Sequence, residues 1–174
     1  MRSISFESAH GDNFISGFRF EAWFLLCLVI GSILAAFTKG VDSNLVFTLF
    51  LSQRSAAMLA ISVFLPLGLT CLACYFRSRG LLLLTIFCKV SLFSYAVFVV
   101  ARALPNAGWL IVCLLLAGGW LSLIAYHQLW LRCFIHHLKI KPPFYFIILL
   151  VLFVIFLCEY FMFQPFAESL FINL

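Results

Sequence analysis

The chain has 174 residues, of which 66% are hydrophobic and 10% charged, with a formal net charge of +5. Soluble domains hold roughly 45–50% apolar and 25% charged residues, and a chain this short buries too small a share of its surface to hide the excess. With a mean hydropathy of +1.18, a soluble domain is excluded, and the expected fold is an all-α polytopic bundle embedded in lipid.

Residues 1–17 mix polar, acidic and aromatic types. They are too long and too acidic for the charged head of a cleavable signal peptide, and read as a short cytosolic tail. Beyond them, five stretches reach the roughly 20 apolar residues that a membrane-crossing helix needs: 18–38, 56–76, 81–101, 108–131 and 144–163. Polar turn chemistry separates them, in "TKGVDSN", "RSRG", "RALPNAG" and "HHLKIKPP". Connections this short make neighbouring helices antiparallel. Residues 164–174 form a short external tail.

Between the first two spans, residues 42–55 have too few apolar positions to cross. They open with a cap-like Asp42-Ser43-Asn44 and carry a weak amphipathic pattern. Two readings stay open: an interfacial helix on lipid, or an outer extension packed on the bundle.

Basic residues set the expected orientation. With the N-terminus cytosolic, the inside carries Arg2, Arg19, Arg77, Arg79, Arg132, Lys139 and Lys141, and the outside Lys39, Arg54 and Arg102. The bias puts the N-terminus inside and, with five spans, the C-terminus outside.

Lys89 falls inside the third span, eight residues from its cytosolic end, or roughly 12 Å deep at 1.5 Å per residue. A lysine near the bilayer centre costs about 2.5–3.5 kcal/mol on insertion scales, so it should face the bundle interior and find a partner. Glu21, His127 and Glu159 are the candidates. Glu21 is preferred by depth, and Glu159 is the weakest because it sits toward the outer face. Lys89 reads first as a pin that fixes helix register, and second as an ion or substrate site.

Pro66 should kink the second span, with Gly68 allowing close approach. Gly118 and Gly119 should thin the fourth so that a neighbour presses against it. Trp23, Trp109, Tyr126 and Trp130 fit an aromatic belt at the membrane interfaces. Of the seven cysteines, six fall in apolar runs and read as packing residues. The Cys71-x-x-Cys74 pair lacks the second half of a zinc site. His136 and His137, adjacent and so on different helix faces, make poor metal geometry and read with "LKIKPP" as a basic loop that attracts anionic headgroups. No nucleophile elbow, zinc-protease helix or Walker loop is present. Neither an enzyme, a cofactor nor a nucleic-acid partner is expected.

The order of features resembles stage II sporulation protein M, a small polytopic membrane protein family of spore-forming bacteria. The resemblance covers most of residues 15–165: a first span with a glycine in "CLVIGSILAAF", an outer stretch "NLVFTLFLSQRS", a basic turn in "CYFRSRG", and the long "ARALPNAGWLIVCLLLAGGWLSLIAYHQLWLRCF". It implies a non-enzymatic anchor that holds peptidoglycan-degrading partner proteins at the outer membrane face during forespore engulfment. No catalytic residue carries over. The alternative is a substrate-binding membrane component of a small-molecule importer, which needs an ATPase partner. That reading predicts a cavity lined by Lys89, Tyr95, Tyr126 and Trp120.

Overall fold

The computed structural model describes residues 6–38, 55–103, 108–135 and 142–165. Five α-helices account for nearly all of them: α1 Phe6–Phe37, α2 Ala56–Tyr75, α3 Arg79–Ala103, α4 Gly108–Ile135 and α5 Pro142–Cys158. A π-helical turn, Glu159–Phe163, extends α5. No strand occurs among the described residues. The expectations for 42–54, for the His136-His137 loop and for 166–174 lie outside the described residues, as does the side chain of Trp109.

Four helical stretches are long and apolar enough to cross a membrane: Gly17–Phe37, Ala56–Tyr75, Arg79–Arg102 and Pro142–Met162. The protein is therefore an all-α membrane protein. Its outer surface agrees, because large apolar side chains such as Phe37, Ile61, Leu92 and Phe146 point away from the bundle. Contact with lipid suits such a surface; contact with water does not. The expected fifth span falls on α4, which packs on each of the other four helices.

At the N-terminus, the helix that carries the first span begins at Phe6, while its apolar stretch begins at Gly17.

The helix ends follow from local chemistry. Ser55 caps α2 by accepting the Met58 N–H at 3.3 Å, the usual role of a serine just before the first turn. At the other end, Ser78 N–H reaches Ala73 O at 3.0 Å and Arg77 N–H reaches Cys74 O at 3.3 Å. That crossed pair is a Schellman stop, and it places Arg77 in the left-handed region at φ 51°, where glycine is the common choice. Ser78 serves twice, since its hydroxyl also accepts the Leu81 N–H at 3.3 Å to cap α3. α5 opens on Pro142 and Pro143, whose fixed φ and missing donors suit a first turn.

Cross-helix pairs give the directions. Cys27 meets Ser91 and Thr38 meets Arg102, so α1 and α3 run parallel. Val63 meets Tyr126 and Thr70 meets Trp130, so α2 and α4 run parallel as well. The α1 contact Glu21–His127 beside Gly17–Ile135 makes α1 and α4 antiparallel. This is an up-and-down bundle, as short connections require.

The most extensive helix pair is α1 with α3. Cys27, Gly31 and Ala35, spaced by four, are buried on one stripe of α1. A Cβ at Gly31 would run into the backbone oxygen of Ser91, so only glycine lets the two backbones approach this closely. Ser91 and Ser94 use the closeness, donating to Cys27 O at 3.0 Å and Leu28 O at 2.7 Å. Farther along, the Arg102 guanidinium donates to Ala36 O and Thr38 O at 3.4 Å each, placing a cation on the carbonyl end of α1. Small residues and interhelical hydroxyls are what membrane helix pairs use where hydrophobic burial offers little drive.

Candidate functional site

The polar centre of the bundle starts from a proline. Pro66 has no N–H, so the carbonyl four residues earlier, Ser62 O, loses its helical donor. The Lys89 ammonium donates to that oxygen at 3.1 Å, and lies 5.8 Å from the centre of the Tyr126 ring. The next carbonyl, Val63 O, accepts the Tyr126 hydroxyl. One turn on, Thr70 Oγ1 donates to Pro66 O at 2.7 Å and accepts the Trp130 indole N–H at 2.8 Å. Side chains from α3 and α4 thus re-satisfy a helix broken by proline, which is how such breaks persist in lipid.

Two sequence expectations are corrected at this centre. Glu21 is not the residue that meets Lys89: its Oε2 lies 3.2 Å from His127 Nε2. Depth along the helix made Glu21 eligible, but its face of α1 turns toward α4. His127 is held there by rings, with Phe24 edge-on at 4.8 Å and Phe20 tilted at 5.5 Å. The second correction concerns the aromatic belt. Tyr126 and Trp130 are fully buried and stacked at 5.1 Å; they belong to the core, because both hydrogen-bonding tips find partners on α2. Trp23 is partly buried, and its indole nitrogen has no hydrogen-bond partner.

Beside this centre a cavity of about 690 Å³ follows the seam between α2 and α3. Its walls are mostly apolar. Lys89, Ser62, Thr85 and Tyr95 bring polar atoms to it, and Ser122 and Glu159 close it from α4 and the π turn. Glu159, the candidate judged weakest by depth, therefore shares this cavity with Lys89, whereas Glu21 and His127 are not among its lining residues. Of the predicted lining, Lys89 and Tyr95 are present and Tyr126 and Trp120 are not.

The paired glycines explain how Glu159 arrives. A Cβ on Gly118 would come within 2.9 Å of Glu159 Oε1, and one on Gly119 within 2.8 Å of the Phe93 ring. The two positions seat a carboxylate and an aromatic ring against α4, the close approach expected of them. Glu159 opens the π turn, a feature frequent at functional sites.

A second polar cluster joins α2, α4 and α5. Cys74 Sγ lies 3.6 Å from Cys133 Sγ and 3.0 Å from the Tyr145 hydroxyl. The Cys71-x-x-Cys74 spacing is not the relevant pairing, because Cys71 points outward while Cys133 is buried. Among the described residues no group of three or more His, Cys, Asp or Glu side chains could hold a metal ion.

Ser62 and the serines of α3 went unnoticed in the sequence, although each left a signal. Counting four back from Pro66 gives Ser62, and the Cys27–Gly31–Ala35 spacing marks the stripe where a neighbour must come close. Comparisons of the chain with protein-family models, curated proteins and solved structures return no match.

Proposed function

We propose that the protein is a non-enzymatic integral membrane scaffold with all five helices crossing the bilayer, its N-terminus cytosolic and its C-terminus external. Its sharpest form is an anchor for cell-wall-degrading partners during sporulation engulfment. One observation carries the reading: several polar side chains of the interior are engaged in joining helices. Lys89 and Tyr126 hold the carbonyls around Pro66, Thr70 and Trp130 hold each other, and Ser91 and Ser94 bind α1 to α3. Such a frame suits a protein whose work is to stay rigid while others act.

A second reading, a membrane-embedded substrate-binding component of a small-molecule transporter, is favoured by the cavity that brings Lys89, Tyr95 and Glu159 together. An intramembrane cation on a cavity wall is the usual mark of a pathway.

Isolation of the native protein in mild detergent, with bound proteins identified by mass spectrometry, separates the two. Cell-wall hydrolases in the eluate support the anchor. An ATPase pair overturns it and makes the cavity the centre of interest. In the second case Lys89→Met abolishes uptake while leaving the protein in the membrane. A reporter fused after Leu174 that is active only outside the cell tests the orientation; an inactive but stable fusion refutes it.

A further inference from the structure

We propose that Cys74 and Cys133 form a reversible dithiol–disulfide pair that fastens the end of α2 to α4. The sulfurs lie 3.6 Å apart on two different helices, and a disulfide needs about 2.05 Å. The remaining gap is about 1.5 Å, within reach of side-chain rotation where the Cβ atoms face each other. Packing alone does not require two thiols at this joint. A third group orders it: the Tyr145 hydroxyl, reaching over from α5, lies 3.0 Å from Cys74 Sγ and 4.0 Å from Cys133 Sγ. Its O–H can donate to the sulfur of Cys74 when that sulfur is the attacking thiolate.

Burial assigns the order of events. Cys74 is half-buried, one residue from the end of α2, whereas Cys133 is 1% exposed. The oxidant is a low-molecular-weight disulfide. The Cys74 thiolate attacks one sulfur of that disulfide, whose S–S bond breaks, and the first small thiol leaves with the proton Cys74 lost. Cys133 then gives up its proton and attacks the Cys74 sulfur of the mixed disulfide. The second small thiol leaves, and the Cys74–Cys133 bond remains. Two protein thiols are oxidised, one small disulfide is reduced to two thiols, and the reverse exchange reopens the pair.

The pair stands at the end of the bundle that carries Arg77, Arg79 and Arg132, the cytosolic end in the proposed orientation. Thiols there are kept reduced under ordinary conditions, so the cross-link forms when the disulfide pool rises. It would then hold α2, one wall of the cavity, against α4. The redox response rests on the proposed orientation, and not on whether partners or substrates occupy the protein.

The test uses full-length protein in membrane vesicles, treated with oxidised glutathione, capped with N-ethylmaleimide, digested and mapped by mass spectrometry. The expected product is a peptide pair joined through Cys74 and Cys133 that dithiothreitol releases. Under the same treatment Cys133→Ser should stop at the first exchange, with a glutathione adduct on Cys74. The proposal fails if Cys74 and Cys133 both emerge capped as free thiols in the wild type, or if Cys74 is joined to Cys71 instead.

Discussion

Lys89 and Pro66 should be energetically coupled although they sit on different helices. The lysine answers a carbonyl that exists as an orphan only because residue 66 is proline. Replacing Lys89 with methionine removes a charge-assisted hydrogen bond worth about 1.5–3 kcal/mol and leaves Ser62 O without that donor. It also relieves the cost of holding an ammonium in hydrocarbon, about 2.5–3.5 kcal/mol on insertion scales. These terms oppose each other, so the single substitution does not isolate the hydrogen bond and the comparison between backgrounds carries the test. In a Pro66→Ala background the backbone N–H gained at position 66 can close the helical bond to Ser62 O, and the lysine's donation becomes redundant. Lys89→Met should then be more favourable by about 1–2 kcal/mol than in the wild type, near the upper end of polar couplings measured between membrane helices. Denaturant unfolding of the four proteins of this cycle in one detergent–lipid mixture measures the difference. Additivity within about 0.3–0.5 kcal/mol, as for independent sites, would refute the assignment of Lys89 to the proline break.

The two glycines with opposite surroundings make a matched pair: Gly31→Ala should destabilise by about 1–3 kcal/mol through overpacking, while Gly68→Ala, with nothing within 4 Å, should be neutral or stabilising by up to about 1 kcal/mol. Thermal midpoints in detergent read both. Replacing Ser91 and Ser94 together with alanine should cost about 1.2 kcal/mol, at the average of about 0.6 per interhelical bond, again by denaturant midpoint. Arg77→Gly should raise stability by up to about 1 kcal/mol, because it removes the left-handed penalty of a side chain at φ 51°; a loss would mean that the Arg77 side chain holds the turn. Glu21→Gln should change stability by less than about 1 kcal/mol, since the carboxylate side chain is 47% exposed and such pairs contribute little; a double-mutant cycle with His127→Gln checks it.

The helices themselves were readable from composition, because a run of 20 apolar residues has few alternatives to a membrane helix. The start of α1 was not. Residues 6–16 have no apolar run, and polar residues are compatible with either a tail or a helix carried onward by the span behind it. The proline break was half-readable: Pro66 announces a freed carbonyl, but which side chain answers it depends on the rotation of α3 about its own axis. Depth counting chose Glu21 for Lys89 for the same reason, since depth is set by sequence and facing is set by packing. Tyr126 and Trp130 illustrate the reverse error. Their composition suits an interface, yet their four-residue spacing on α4, continued from Ser122, places them on one inward stripe. Cys74 and Cys133 are 59 positions apart, and nothing local to either one predicts that α2 and α4 lie side by side.

The parallel seating of α1 on α3 has a consequence for how the chain is made. The helix that the Gly31 notch receives follows α2 and the Arg77 turn in the chain, so it emerges from the ribosome after them. Until then the first helix stands in the bilayer without its principal neighbour, and α2 cannot substitute, because it runs the other way and is not among the helices that pack extensively on α1. Assembly therefore has a waiting step, ending when Ser91 and Ser94 arrive. Site-specific cross-linking from position 31 in stalled nascent chains should capture lipid or an insertion factor when α2 has emerged and α3 is still within the ribosome, and position 91 once α3 has emerged. Capture of α2 residues in the shorter chains would show that the first two helices pair on their own.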